Sequence, residues 1–144
     1  MPKLRHLALH TADPEATAEF YKRVFDMEQV GPKNDSPVAE AIYLTDGTLN
    51  LTVLRFKSQE IAERLSGSSA FGLSHFGFWT ESMEETKRRL REAGSELADS
   101  RDPGHVVFYE EKWKGPDGVT FDITDVGFPG ALPPGGLEAK SLWS

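Results

Sequence analysis

Two histidines occupy matching places in the chain. His6 and His75 each begin a stretch of alternating apolar residues, and each is followed by a helix start at Asp13 or Ser82. Both features repeat at an offset of 69 residues, since 75 − 6 and 82 − 13 are equal. Because similarity at a fixed offset indicates a duplicated unit, the sequence predicts two copies of a strand–helix module that each open with a histidine.

The residues around each histidine predict the elements that position it. Residues 4–11 and 73–80 alternate as strands do, with His6 or His75 on one face and apolar side chains on the other. A helix follows each strand, to about residue 25 in the first case and residue 93 in the second. In the first helix the apolar stripe expected to face the sheet is Ala16, Phe20 and Val24, flanked by Ala18 and Tyr21.

The remaining pattern completes two βαβββ modules. Further strands are predicted at 27–30, 38–45 and 48–55 in the first module, and near residue 97, at 105–114 and at 119–124 in the second. We therefore predict an α+β fold with a single domain over 1–126, divided into a module at 1–56, a linker at 57–72 with a short helix, and a module at 73–126. An extended tail follows at 127–144.

The strand faces turned away from the helices carry the chemistry. The helices must bury their apolar stripes against one side of the sheet, which leaves His6, His75, Asn50 and Asp122 on the other side. A lone histidine is more often an ordinary core residue, but two at matching places beside a carboxylate favour a metal site. We predict His6, His75 and Asp122 as ligands of one divalent ion of Fe, Mn, Ni, Co or Zn, with open positions for substrate.

Other side chains near this face are weaker candidates. Asn50, His10, Trp79 and Tyr109 are possible pocket residues, and His105 is expected in a loop. The run around Lys112 is rich in charge, with two glutamates before it and Lys114 after it, so it is expected to be a solvated strand face. No catalytic acid or base is assigned from the sequence.

Several motifs together resemble the vicinal-oxygen-chelate superfamily, which includes glyoxalase I, methylmalonyl-CoA epimerase, extradiol dioxygenases and bleomycin-resistance proteins. They are residues 6–9 before the helix start at Asp13, residues 46–51, residues 75–78 and residues 115–123, and they span nearly the whole chain to about residue 126. The resemblance implies two modules that form half-barrels around one metal. In its pattern Asp122 stands where a glutamate is common, and Asn50 stands where isomerases and lyases have glutamate or glutamine.

The resemblance implies a metal-dependent enzyme whose small substrate chelates the ion through two adjacent oxygens. The reaction would be ring cleavage by a dioxygenase or lyase/isomerase chemistry. The alternative is a metal-free protein that binds a small molecule, as bleomycin-resistance proteins do. The family often forms dimers, so a homodimer is also expected.

The composition excludes other classes of partner. The 144 residues carry a net charge of −7, whereas nucleic acid and anionic membranes require a basic surface. The chain has no cysteine, which excludes disulfides, thiolate nucleophiles and zinc–sulfur sites. No apolar run approaches the roughly 18 residues of a membrane span, and the expected compartment is the cytoplasm.

Overall fold

The structure is a computed structural model that describes residues 1–100 and 110–131. In chain order the described elements are β1 (Lys3–His10), α1 (Pro14–Phe25), β2 (Glu28–Gln29), β3 (Asn34–Asp35), β4 (Ala39–Thr45), β5 (Asn50–Phe56), α2 (Gln59–Ser66), β6 (Gly72–Trp79), α3 (Met83–Glu92), β7 (Glu96–Ser100), β8 (Glu111–Lys114) and β9 (Thr120–Thr124). None of the helices in this part of the chain has the length and apolar character needed to cross a membrane.

The strands form one mixed sheet in the order β2-β4-β5-β1-β6-β9-β8-β7, and β3 also pairs with β4. In each module the first and last strands pair in parallel, β1 with β5 and β6 with β9. The two modules join where β1 and β6 pair in antiparallel fashion. The predicted α+β class is therefore confirmed, and the two histidine-bearing strands are neighbours at the centre of the sheet.

The duplication extends to individual hydrogen bonds. The hydroxyls of Thr11 and Thr17 lie 2.6 Å apart at the start of α1, and those of Thr80 and Thr86 lie 2.6 Å apart at the start of α3. These residues are related by the same offset of 69. Each hydroxyl pair ties the end of a strand to the first turn of the helix that follows it, so both modules turn from strand to helix in the same way.

The packing face of α1 differs from the prediction. Ala18 is buried against Ile42, Leu44 and Val53, with Tyr21 beside it, whereas Phe20 and Val24 are each 50% exposed. Ala16 is exposed as well. The predicted stripe was wrong because the small Ala18 side chain lets the helix backbone approach the sheet closely, which turns the larger apolar residues outward.

A second apolar core lies on the opposite face of the first module. Ala8 packs there with residues of β4 and β5, and α2 covers them with Ala62 and Leu65. Ala8 is two positions from His6 on β1, so both residues point to this same face. The face that carries the candidate ligands is thus part of the protein interior.

Strand β3 lies within residues 31–37, between the strands that the sequence predicted at 27–30 and 38–45. Asn34 and Asp35 pair with Ala41 and Glu40 on β4. The Glu40 carboxylate binds both Lys33 and Arg55, and the hydrogen bonds from these two cations lower its pKa to about 2. This charge cluster holds β3 against β4 and β5, and β3 forms one wall of the cavity described below.

We expect Glu40→Gln to change how stability depends on pH. A carboxylate whose folded pKa is depressed stabilises the protein above the unfolded pKa, near 4.5, and loses that contribution as pH falls through the folded pKa, near 2. The difference in unfolding free energy between wild type and variant should be constant from pH 7 to about pH 5 and should shrink toward pH 2. Urea denaturation at several pH values measures it.

The matched control is Glu28→Gln, because Glu28 is an exposed glutamate on β2. It removes one glutamate charge without altering the ion cluster, so the result for Glu40→Gln is read against it. A Glu40→Gln difference that stays constant down to pH 2 would contradict the assignment of this carboxylate to the ion cluster.

Candidate metal centre

Three side chains converge on one point of the buried face. His6 Nε2 lies 3.4 Å from His75 Nε2 and 3.5 Å from Asp122 Oδ2, and His75 Nε2 lies 3.1 Å from the same oxygen. His6, His75 and Asp122 are all buried. The three predicted ligands therefore meet in space, although they come from distant parts of the chain.

The strand registers explain why they meet. His6 on β1 pairs with Gly77 on β6, and Gly77 pairs in turn with Asp122 on β9. His75 lies two positions before Gly77, so its side chain points to the same face of the sheet. Because Gly77 has no side chain, the side chains of neighbouring residues can occupy the space next to its Cα.

Asn50 fixes the protonation of His6. The Asn50 amide nitrogen donates to the carbonyl of Pro129 at 2.8 Å, so its Oδ1 faces His6 Nδ1 at 2.6 Å. An amide oxygen only accepts, so Nδ1 of His6 must carry the proton and donate it. Its Nε2 then presents a lone pair to Asp122, which is how ligating histidines are commonly oriented.

Lys112 fixes His75 in the same way. The ammonium of Lys112 is only a donor, and it lies 3.4 Å from His75 Nε2. His75 Nε2 is then the acceptor, and its Nδ1 donates to the Ser74 hydroxyl at 2.9 Å. Both imidazoles therefore turn an unprotonated Nε2 toward the centre.

The electrostatics keep both kinds of group in their ligating forms. Burial lowers the pKa of His6 to about 3, against the raising effect of the Asp122 charge, so His6 is neutral at neutral pH. Burial alone would raise the pKa of Asp122, but the neighbouring His75 ring and the Lys112 ammonium hold it well below its usual range. The centre contains a carboxylate and neutral imidazole at physiological pH.

One atom of this centre is left without a hydrogen bond. Asp122 Oδ1 accepts from Lys112 at 2.6 Å, but Asp122 Oδ2 is buried and has no donor among the described residues. It faces the two histidine lone pairs, so three acceptor atoms meet with no proton between them. A buried polar atom of this kind is costly unless a cation balances it.

The spacing of these acceptors fits a first-row divalent ion. Bonds of about 2.1 Å to nitrogen or oxygen place neighbouring donors about 3.0 Å apart around an octahedral ion and about 3.4 Å apart around a tetrahedral ion. The observed separations run from 3.1 to 3.5 Å. His6, His75 and Asp122 would hold such an ion, with their side chains on one side of it.

Asn50 is not placed to be a fourth ligand, because its oxygen is occupied by Nδ1 of His6 on the far side of the imidazole. The strand registers also show that Asn50 is not the first module's equivalent of Asp122. Ala8, which corresponds to Gly77, pairs with Thr52, whereas Gly77 pairs with Asp122. A threonine thus stands at the first module's equivalent position, and its hydroxyl donates to Asn50 Oδ1 at 2.7 Å.

The sequence reasoning missed Lys112. The run around it was predicted to be solvated, but Glu110, Glu111 and Lys112 are all buried. The signal was available in the turn at 115–118, because pairing outward from a hairpin turn sets Lys112 opposite Asp122. Glu111 faces the other side of the sheet, where it binds Lys87 of α3.

Phe128 was also missed as a site residue. It was assigned to the extended tail, of which residues 132–144 lie outside the described part of the chain. Its ring stacks on His6 with the centroids 4.5 Å apart and the planes 7° from parallel. A Cβ atom added at Gly77 would lie 2.7 Å from Phe128 Cζ, so the glycine is what allows the ring to cover His6.

A small cavity opens onto the centre. We call it the inner cavity; its volume is about 70 Å³, and its lining includes His6, His75, Thr52, Glu110 and Lys112 together with residues of β3, β4 and β5. This volume holds several waters or the reacting part of a small substrate. Both histidines and the lysine are thus within reach of a bound molecule.

The other predicted pocket residues have separate positions. His10 lines a larger outer cavity of about 380 Å³ with Phe71, and its Nδ1 donates to the Ala70 carbonyl at 3.1 Å. Trp79 lies outside both cavities, because it is buried at the end of β6 with its indole N–H donating to the Asp125 carbonyl. Tyr109 and His105 lie outside the described residues.

The fold and site together define a class: a duplicated mixed-sheet protein whose two histidines line one cavity and converge on a buried carboxylate. The family model for the Glyoxalase/Bleomycin resistance protein/Dioxygenase superfamily matches residues 3–123. The chain belongs to this superfamily, which confirms the resemblance. Among curated proteins, none has a sequence that matches this chain.

Solved structures support the fold. A hypothetical protein from Bacillus halodurans C-125 is 20% identical with a TM-score of 0.69, covering 85% of this chain and 92% of its own. A Streptomyces coelicolor methylmalonyl-CoA epimerase variant in complex with 2-nitronate-propionyl-CoA is 19% identical with a TM-score of 0.68, covering 84% and 94%. Methylmalonyl-CoA epimerase from Mycobacterium tuberculosis is 17% identical with a TM-score of 0.65, covering 83% and 85%.

We expect Gly77→Ala to destabilise the protein by about 1–3 kcal/mol, because the new methyl group collides with Phe128 and His6. Phe128→Leu removes the Cζ atom that this methyl group would strike. The double variant should therefore lose less stability than the sum of the two single variants, by about 1 kcal/mol. Urea denaturation of wild type, the two single variants and the double variant completes this double-mutant cycle. Strictly additive losses of stability would contradict the predicted contact.

Proposed function

We propose that the protein is a divalent-metal-dependent enzyme of the isomerase or lyase type, with His6, His75 and Asp122 as the metal ligands. The observation that carries the proposal is the buried Asp122 Oδ2, which has no hydrogen-bond donor among the described residues and faces two histidine lone pairs. The spacing of the three acceptors fits a first-row ion, and the inner cavity leaves room for a substrate beside it.

The substrate would present two adjacent oxygens to the ion and an acidic C–H bond to the protein. A bound divalent ion supplies Lewis-acid stabilisation of negative charge on a substrate oxygen. Glu110 lies in the inner cavity on the same face as Lys112, its Oε1 3.7 Å from the ammonium. We assign Glu110 the role of the base that takes and returns the proton.

This assignment favours isomerase or lyase chemistry over ring cleavage. The sequence assigned no catalytic acid or base, and Glu110, which is buried and lines the inner cavity, supplies a carboxylate for that role. Methylmalonyl-CoA epimerase has the same fold, so an acyl thioester is the first substrate to try. A dioxygenase remains the alternative reaction, since two histidines and one carboxylate with open positions also suit Fe(II).

A metal-free binding protein is the second candidate function. The specific observation in its favour is Lys112, whose ammonium already neutralises Asp122 from within the protein. In such a protein the inner cavity would bind a small molecule without transforming it. Metal content separates the two candidates.

Three further expectations stay predictions. The homodimer has support from the apolar residues that α1 leaves exposed, which are Phe20, Val24 and Phe25. The cytoplasmic compartment and the division of the domain into modules at 1–56 and 73–126 also remain expectations.

We expect protein that has been stripped with chelator to take up close to one equivalent of Fe(II), Mn(II), Co(II), Ni(II) or Zn(II). Elemental analysis after gel filtration measures the stoichiometry. Metal at 100 times its dissociation constant should stabilise the fold by about 2.7 kcal/mol, seen as a rise in melting temperature. His6→Ala and His75→Ala should lose both effects.

His10→Ala is the matched control, since His10 is a buried histidine on the same strand as His6 but lies outside the triad. It should bind metal as wild type does. Less than about 0.1 equivalent of every ion in wild type, with no gain in melting temperature, would remove the metal-dependent function and leave the binding protein.

We expect Asn50 to act through His6. Asn50→Leu removes the acceptor of the His6 Nδ1 proton, so metal affinity should fall by roughly 10–100-fold. Asn50→Asp keeps an acceptor there and should retain most of the affinity. Isothermal titration with Co(II) measures both variants, and equal losses in the two would mean that Asn50 supports only packing.

A further inference from the structure

We infer that Lys112 is an internal cation that competes with the divalent metal, so that metal binds only when the lysine ammonium leaves His75. The inference rests on the proposed metal-dependent function and adds a control on metal occupancy. It is carried by the position of one ammonium group inside the ligand cluster.

Lys112 occupies a contact that a metal ion would need. Its Nζ lies 2.6 Å from Asp122 Oδ1 and 3.4 Å from His75 Nε2, and its side chain is only 2% exposed. The His75 lone pair that accepts from the ammonium is the same lone pair that would bind the metal. A lone pair serves one cation at a time, so the two states exclude each other at His75.

The charge balance leads to the same conclusion. In the structure Lys112 neutralises the buried carboxylate of Asp122, and both side chains are almost fully removed from water. A dication placed beside them would add two positive charges, and Glu110 would offset them in part. Like charges a few ångströms apart repel strongly in a poorly hydrated interior.

The lysine has a place to go. Lys112 lines the inner cavity, as does Glu110, whose Oε1 is 3.7 Å from the ammonium. A rotation of the long side chain into this cavity would keep the ammonium near Glu110 while it leaves His75. The site would then alternate between a lysine-filled state and a metal-filled state.

Removal of the ammonium should therefore tighten metal binding. We expect Lys112→Met and Lys112→Gln to bind Co(II) at least about tenfold more tightly than wild type, measured by titration of the cobalt absorption bands and by calorimetry. Gln retains a donor for Asp122, so it guards against loss of folding. The matched control is Lys87→Met, which removes a lysine paired with Glu111 on the opposite face of the same strand and should leave the affinity unchanged.

Wild-type protein offers a second measurement that requires no substitution. Acetylation of Lys112 by an amine-reactive ester, followed by peptide mass spectrometry, should be slow in the metal-free protein because the ammonium is buried. It should rise several-fold when Co(II) is added, while acetylation of Lys87 stays constant. If the variants fail to fold, this labelling decides the question.

The outcomes distinguish failure of the lysine competition from failure of the proposed metal-dependent function. Equal or weaker Co(II) binding by both folded variants, or labelling that does not rise with metal, would overturn the competition and leave the metal site in place. Binding by the variants but not by wild type supports the competition and removes the metal-dependent function from the natural protein. Absence of binding in wild type and variants alike overturns the proposed function and the inference with it.

Discussion

The buried negative charge of Asp122 is the constraint on which the site depends. A carboxylate that is fully removed from water is stable only beside a cation and hydrogen-bond donors. Here Lys112 satisfies one oxygen, and the other oxygen is directed at two neutral imidazoles that cannot donate to it. Hydrogen bonds at Nδ1 hold the histidines in this state: Asn50 Oδ1 accepts from His6, and the Ser74 hydroxyl accepts from His75. The arrangement is suited to binding a cation, and the Lys112 ammonium is a cation that the protein itself supplies.

The duplicated fold makes this arrangement possible, but the two modules differ at the position of the carboxylate. The two modules repeat their strand–helix junctions down to a pair of threonine hydroxyls, and their first strands lie side by side. The carboxylate is not repeated, because Thr52 stands opposite Ala8 where Asp122 stands opposite Gly77. One ligand set with a single negative charge results, and the second module supplies both Asp122 and the lysine that neutralises it.

Part of the site was predictable because it depends on periodicity. The offset of 69 residues and the alternation of strands are properties of the sequence alone, and they led to His6, His75 and Asp122 on one face. The face of α1 was not predictable in this way, because the depth at which Ala18 packs decides the rotation of the helix. Lys112 and its neighbours look like a surface strand by composition, and their burial follows only from their place between β7 and β9.

The sequence by itself determined the class of fold, the duplication and the three residues with metal-ligand chemistry. Side-chain alternation and capping patterns are local, so they are legible without coordinates. The tertiary structure decided which atoms meet. Asn50 accepts a hydrogen bond from His6 instead of binding a metal, the Phe128 ring stacks on His6, and Lys112 lies among the candidate ligands. These contacts join residues distant in the chain through strand register and close packing, which no local pattern encodes.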